Sequence, residues 1–253
     1  MSDRRSQAAV LFLVGAMALY LGGSDAALAY IKTGLQPLLV ASGGILVGLA
    51  VVAAVRYGRD ERGHQPHGPR VAWLLALPPL ALVLIAPPAL GAFAASRQSI
   101  QPPPTIHARP TGEAAMNGSP SLFAPLIPPG DGAAVPMSLA EYLARDYEEP
   151  HTLAGVRIRL VGFVTPQKPG RDGYLLTRFA ISCCAADATA LKVTIHGDPV
   201  PRAPDTWLEV EGRWQQRTGD DSNQPSSGTP LLLAEAIRVI EQPSSPYESG
   251  FPF

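Results

Sequence analysis

The chain has 253 residues, with 20 Lys+Arg against 21 Asp+Glu and a formal charge of −1. Only 16% of residues are charged, against about a quarter in soluble domains, which excludes a single soluble domain of ordinary type. Two adjacent cysteines exclude a disulfide-stapled scaffold, and the near-zero charge gives no support to nucleic-acid binding.

The charges are unevenly spread. Arg5 and Asp25 bracket 19 uncharged residues, Lys32 and Arg56 bracket 23, and Arg70 and Arg97 bracket 26. A membrane helix needs about 20 mostly apolar residues, so residues 1–96 are predicted to be a transmembrane region of three spans. The spans are placed at Ala8–Gly23, Leu35–Val55 and Val71–Ala95. Arg4 and Arg5 before the first apolar run also fit a cleaved signal peptide. The third span holds Pro78, Pro79, Pro87 and Pro88 and is expected to be kinked. Gly43, Gly44 and Gly48 would allow close helix contact, and Gly44 and Gly48 form a G-x-x-x-G pair.

Arg4, Arg5, Arg56, Arg59, Arg62 and Arg70 lie on one side of these spans, and only Lys32 and Arg97 closely flank them on the other. The positive-inside rule then predicts a multi-pass protein of the cell membrane with a cytoplasmic N-terminus. Everything after the third span would be extracytoplasmic. No charged residue lies within a span, so the helices alone do not make a proton or ion pathway. His64 and His67 sit in a Gly/Pro loop; two imidazoles there read as solvated polar groups more readily than as a metal site.

Residues 97–135 hold eight prolines and no sustained period, so they are predicted to be a Pro-rich linker. Order resumes in residues 136–242. Ser138 followed by Glu141 is a capping-box pattern. It opens a short helix bearing Leu139, Tyr142 and Leu143 on one face and stopped by Pro150. Alternation of period two follows. Val156, Ile158, Leu160, Gly162 and Val164 share one strand face, with Arg157 and Arg159 opposite. Tyr174–Ile181, a strand through Leu191, Val193 and Ile195, a strand from Leu208 to Trp214, and Leu231–Ile240 complete a set of five. Gln215–Pro230 is a polar loop, and residues 243–253 are expected to be a flexible tail. Five strands after a short helix suit a small barrel, with the OB-fold leading. The predicted fold class is therefore a membrane α-helical N-terminal region of three spans plus a small all-β OB-like barrel domain. Residues 136–242 carry 11 basic and 14 acidic side chains, which argues against a nucleic-acid partner for the barrel.

The most unusual local feature is Arg178-Phe179-Ala180-Ile181-Ser182-Cys183-Cys184-Ala185-Ala186-Asp187-Ala188. Three readings stand side by side. The cysteines are buried as small hydrophobes, they form a strained vicinal disulfide, or Cys183, Cys184 and Asp187 hold a zinc-like metal ion with His196 as fourth ligand. Neighbouring strand residues point to opposite faces, so both thiols converge only in a turn. No hydrolase triad or phosphate loop is present in the sequence.

The apolar N-terminus, the strand ending in Gly162-Phe163-Val164, and Arg178 followed by Ile181 to Ala188 resemble the YcgQ-like family of bacterial permease subunits. The resemblance implies an accessory partner, embedded in membrane lipid, of a larger multi-spanning permease; it supplies no substrate and no catalytic residue. The expected function is a non-enzymatic permease subunit whose extracytoplasmic domain binds a small solute or metal ion. The alternatives are a membrane-anchored binding or scaffold module without a transport role, and a thiol-dependent enzyme, which would need a thiol of lowered pKa.

Overall fold

The structure is a computed structural model. It describes residues 2–57, 81, 88–99, 123–128, 130, 132–167, 173–216 and 229–249. The chain divides into two compact units, Met1–Ala89 and Leu90–Phe253.

In the first unit, α1 (Ser2–Gly22) and α2 (Gln36–Tyr57) form a helical hairpin. Two short 3-10 turns, Asp25–Ala29 and Thr33–Leu35, join them. Gln36 Nε2 donates to the Ser24 carbonyl (3.3 Å) and pins the loop to the start of α2. The helices meet where side chains are smallest. A Cβ on Gly15 would stand 2.9 Å from the Gly43 carbonyl oxygen, and a Cβ on Gly43 would stand 2.9 Å from that of Gly15. Gly44 and Gly48 have open space around them. The close contact therefore falls on Gly43, one residue round the helix from the G-x-x-x-G pair.

The expected three spans are corrected to a single helix among the described residues that is long and apolar enough to cross a membrane. That helix is Thr33–Arg56, of 24 residues and mean hydropathy 2.5. The apolar part of α1, Ala8–Gly22, is shorter than a span needs. Most of the expected third span lies outside the described residues, as do His64 and His67. Its last part, from Leu90, belongs to the second unit instead. There Ala92–Arg97 forms the short helix α3, with Ala92 and Ala95 buried against the barrel.

The second unit is built on a closed five-stranded barrel. Its strands are β2 (Arg157–Thr165), β3 (Tyr174–Ile181), β4 (Thr189–His196), β5 (Trp207–Gln215) and β6 (Leu231–Val239). β2 pairs antiparallel with both β3 and β5, β3 with β4, and β5 with β6. The parallel β4–β6 pair closes the ring. This order is that of an OB-like barrel. Closure needs a bend, and β5–β6 supplies it with a register shift at Glu211/Gly212. A Cβ on Gly212 would lie 2.2 Å from the Leu233 carbonyl oxygen, so no other residue fits without moving the ladder.

The inward set is the alternating set: Ile158, Leu160, Leu176, Val193, Ile195, Leu208, Val210 and Leu232 are each fully buried. Helix α4 (Leu139–Glu148) packs Leu139, Tyr142 and Leu143 into the same core. Half of the expected capping box is present, because Ser138 Oγ accepts from Glu141 N–H at 3.0 Å. The Glu141 carboxylate turns instead to Arg145, 2.8 Å away. Glu248, on the two-residue strand β7 (Glu248–Ser249), accepts from the N–H groups of Leu139 (2.8 Å) and Ala140 (3.0 Å). β7 runs parallel to the end of β3, as the short β1 (Val135–Pro136) does to β2. Tyr247 and Glu248, expected in a tail, are thus buried parts of the barrel unit.

The outer face of β2 and β3 is covered as well. Phe163, Thr165, Leu175, Thr177, Phe179 and Ile181 are buried there, and α3 packs on both strands. Phe163 stacks edge-on to Trp207 with centroids 5.5 Å apart.

Candidate metal site

β3 ends at Ile181, and the chain must turn back to start β4 at Thr189. The turn carries the cysteine pair. Ala185–Asp187 forms a single 3-10 turn with Cys184 at its cap. The Asp187 carboxylate reaches back over the chain: Oδ1 accepts from Ser182 N–H at 3.0 Å, and Oδ2 accepts from Cys183 N–H at 2.7 Å and Cys184 N–H at 3.5 Å. Folding the backbone around one carboxylate puts adjacent side chains on the same side, which an extended strand cannot do. Cys183 Sγ and Cys184 Sγ are 3.5 Å apart. One ligand atom from each of Cys183, Cys184 and Asp187 lies within 4.8 Å of the others.

Both cysteines are free thiols, Cys183 exposed and Cys184 half-buried. The reading that buries them as small hydrophobes is corrected here, since the turn projects them away from the core. The hydrogen bond to Asp187, and after it the one to Cys184, push the Cys183 thiol up to about 12. Asp187 is held below its ordinary value, first by the Cys183 thiol; burial opposes this, and the bonds from the Cys183, Ser182 and Cys184 N–H groups add to the lowering. A thiol raised in this way is a poor nucleophile at neutral pH. A metal ion binding there would have to displace this proton, because metal binding and deprotonation are coupled.

The donor set fits a borderline or soft cation. Two thiolates on one tetrahedral zinc stand about 3.8 Å apart, given Zn–S bonds of about 2.3 Å; the two sulfurs here are close to that bite. The Asp187 carboxylate accepts from three N–H groups and from the Cys183 thiol, which fills its roughly four lone-pair sites; loss of the thiol proton would free one of them for a cation. Three donors from the chain leave at least one position of a tetrahedral ion open to another ligand.

His196 is not part of this cluster. It ends β4, while the turn precedes Thr189 at the other end of that strand. Eight extended residues span roughly 23 Å, so the expected fourth ligand sits at the opposite end of the barrel. Arg178, quoted in the sequence resemblance, acts elsewhere too. It donates from Nη2 to the Ser245 carbonyl (2.8 Å) and from Nε to that of Pro246 (3.2 Å), and so holds the C-terminal segment on the barrel. Burial lowers its pKa, with Glu248 opposing.

Sequence reasoning missed one residue beside the site. The Gln98 carboxamide donates to the Ala188 carbonyl (2.9 Å) and accepts from Ala190 N–H (2.7 Å). It lies at the edge of a Pro-rich stretch without periodicity, and nothing in the sequence marks it.

No curated protein matches the chain, and no solved structure matches it. The permease-subunit relation implied by the sequence resemblance is not established by any match. What is found covers α4, the barrel and the start of β7: residues 138–248 carry a DUF1980 C-terminal domain, an uncharacterised family.

Proposed function

We propose that the chain is a membrane-attached binding module whose barrel domain takes up a zinc-like thiophilic cation at Cys183, Cys184 and Asp187. The observation that carries this reading is the convergence of two thiols and a carboxylate on one exposed turn, with the carboxylate fixed by three backbone N–H groups. Exposed ligands and an open coordination position suit a cation that is received and passed on. The membrane attachment rests on α2, the described helix long and apolar enough to cross a membrane. In this reading the module serves a multi-spanning permease as its accessory subunit, the role that the sequence resemblance implies.

Metal analysis of the full chain purified in detergent tests the site. Wild type should carry a single zinc-like ion per chain after loading and desalting, and the Cys183→Ser/Cys184→Ser variant should carry none. Equal, negligible metal in both overturns the binding function. Isolation of the chain without any multi-spanning partner, under mild detergent from its own membrane, overturns the subunit role alone.

A further inference from the structure

The segment Leu90–Gln98 is fastened to the barrel at three points. Leu90 N–H donates to the Tyr247 hydroxyl (3.0 Å), and Ala92 N–H donates to Asp205 Oδ1 at the start of α3. The third point is Gln98. Its side-chain amide bonds Ala188 and Ala190, the residues on either side of Thr189, as a neighbouring parallel strand would. Its backbone carbonyl accepts from Lys192 Nζ at 2.6 Å, two residues further along β4.

Ala188 is the residue that ends the Ala185–Asp187 turn, and its own N–H returns to the Ala185 carbonyl. Gln98 therefore grips the backbone next to Asp187, the side chain that gathers the N–H groups of Ser182, Cys183 and Cys184. The chain of bonds runs from Gln98 to Ala188, from there to Asp187, and from Asp187 to both cysteines. Without the carboxamide, Ala188 O and Ala190 N–H lose their partner and the first turn after the cluster is free to shift. We infer that Gln98 is a positioning residue for the dithiol site, and that the segment following the N-terminal unit in the chain thereby sets the site's affinity for its cation. This inference rests on the metal-binding reading proposed above.

The test uses the full chain in detergent with Cd²⁺ as probe. Affinity is read by competition with a chelator, and geometry by the thiolate-to-cadmium charge-transfer absorption. Gln98→Met keeps the length of the side chain and removes both hydrogen bonds. Gln98→Glu keeps an acceptor for Ala190 N–H but sets an oxygen against the Ala188 carbonyl. Outer-shell partners of metal ligands are commonly worth about 10–100-fold in affinity. Gln98 acts one bond further out, through Ala188, so Gln98→Met is expected to bind Cd²⁺ up to about tenfold more weakly, with a shifted charge-transfer band and a metal-free melting temperature near that of wild type. Gln98→Glu should fall on the same side of wild type. Affinity and band equal to wild type in Gln98→Met overturn the inference while leaving the metal site intact. Weakening that only tracks a loss of fold in the metal-free melt also overturns it. A wild-type chain that takes up no Cd²⁺ overturns the underlying reading and this one with it.

Discussion

The two units use the same aliphatic residues in opposite ways. In α2, Leu38 and Ile45 are each 64% exposed and Val55 is 56% exposed. In the barrel, Leu160, Ile195 and Val210 are each fully buried. The barrel's apolar residues alternate with Arg and Glu, so one face of each strand has somewhere to go inside the chain. The apolar residues of α2 surround the helix, and a helix apolar all round needs an apolar environment supplied from outside. What separates the barrel core from a helix long and apolar enough to cross a membrane is the arrangement of the residues and not their identity.

Truncating one residue in each unit puts that contrast at risk, with the largest effect of the set. Leu160→Ala removes a fully buried side chain and should destabilise the barrel by about 2–5 kcal/mol. The barrel's melt is followed by near-ultraviolet circular dichroism, to which Trp207 and Trp214 contribute. Ile45→Ala, in α2, should leave that melt within about 0.5 kcal/mol of wild type. Similar shifts from both would mean that the units do not stabilise themselves independently.

Much of this division was legible in advance, for local reasons. β2, β4 and β5 follow from period-two alternation, β3 and β6 from apolar runs between turn-rich segments, and Ser138 marks the start of α4. The burial of the outer face of β2 and β3 was not read, although Tyr174–Ile181 is nearly continuous in apolar character, the pattern of a strand covered on both sides. Its cover, α3, comes from residues that composition alone assigned to a membrane span. His196 is near the cysteine turn in sequence but not in space, because the extended strand between them carries its two ends far apart. β7 and Gln98 left no local trace at all, since their roles are set by partners about 70 to 110 residues away. Cys183, Cys184 and Asp187 were legible as a group because a turn was the only geometry that could gather them.

The next effect in size concerns how the helical hairpin is held. Its closest contact pairs Gly15 with Gly43, and a side chain at Gly43 would meet the Gly15 carbonyl oxygen and Leu19. Gly43→Leu should force the helices apart at about 1–3 kcal/mol, the usual scale of overpacking. Gly44→Leu points into open space and should leave the hairpin as it is. Nitroxide labels at Phe12 and Leu49, both exposed, in a chain with Cys183→Ser and Cys184→Ser, report the separation. Widening in Gly43→Leu alone is expected. Equal widening in both variants would move the interface to the G-x-x-x-G face.

The smallest effect separates the units by pH. The glycine and aliphatic side chains that form the α1–α2 contact do not titrate. The barrel holds Asp198, whose carboxylate accepts from Arg202 Nε (2.7 Å), Val200 N–H (3.0 Å) and the Tyr174 hydroxyl (3.1 Å). Burial acts to raise its pKa, but the bond from Arg202, with those from Val200 and Tyr174, outweighs it and holds Asp198 below the ordinary carboxylate value. Tyr174 is raised in turn, by burial first and then by Asp198. A carboxylate depressed by folding contributes stability that is fully present above its ordinary pKa and is lost as pH falls through the folded value. Asp198→Asn should therefore cost on the order of 1 kcal/mol at neutral pH, and the gap from wild type should close as the pH drops below about 4. Barrel melts of both proteins across that range give the difference directly. A gap that stays constant into acid would show that the Asp198 contacts act through shape and not through charge, and the barrel would then lose its electrostatic contrast with the hairpin at this residue.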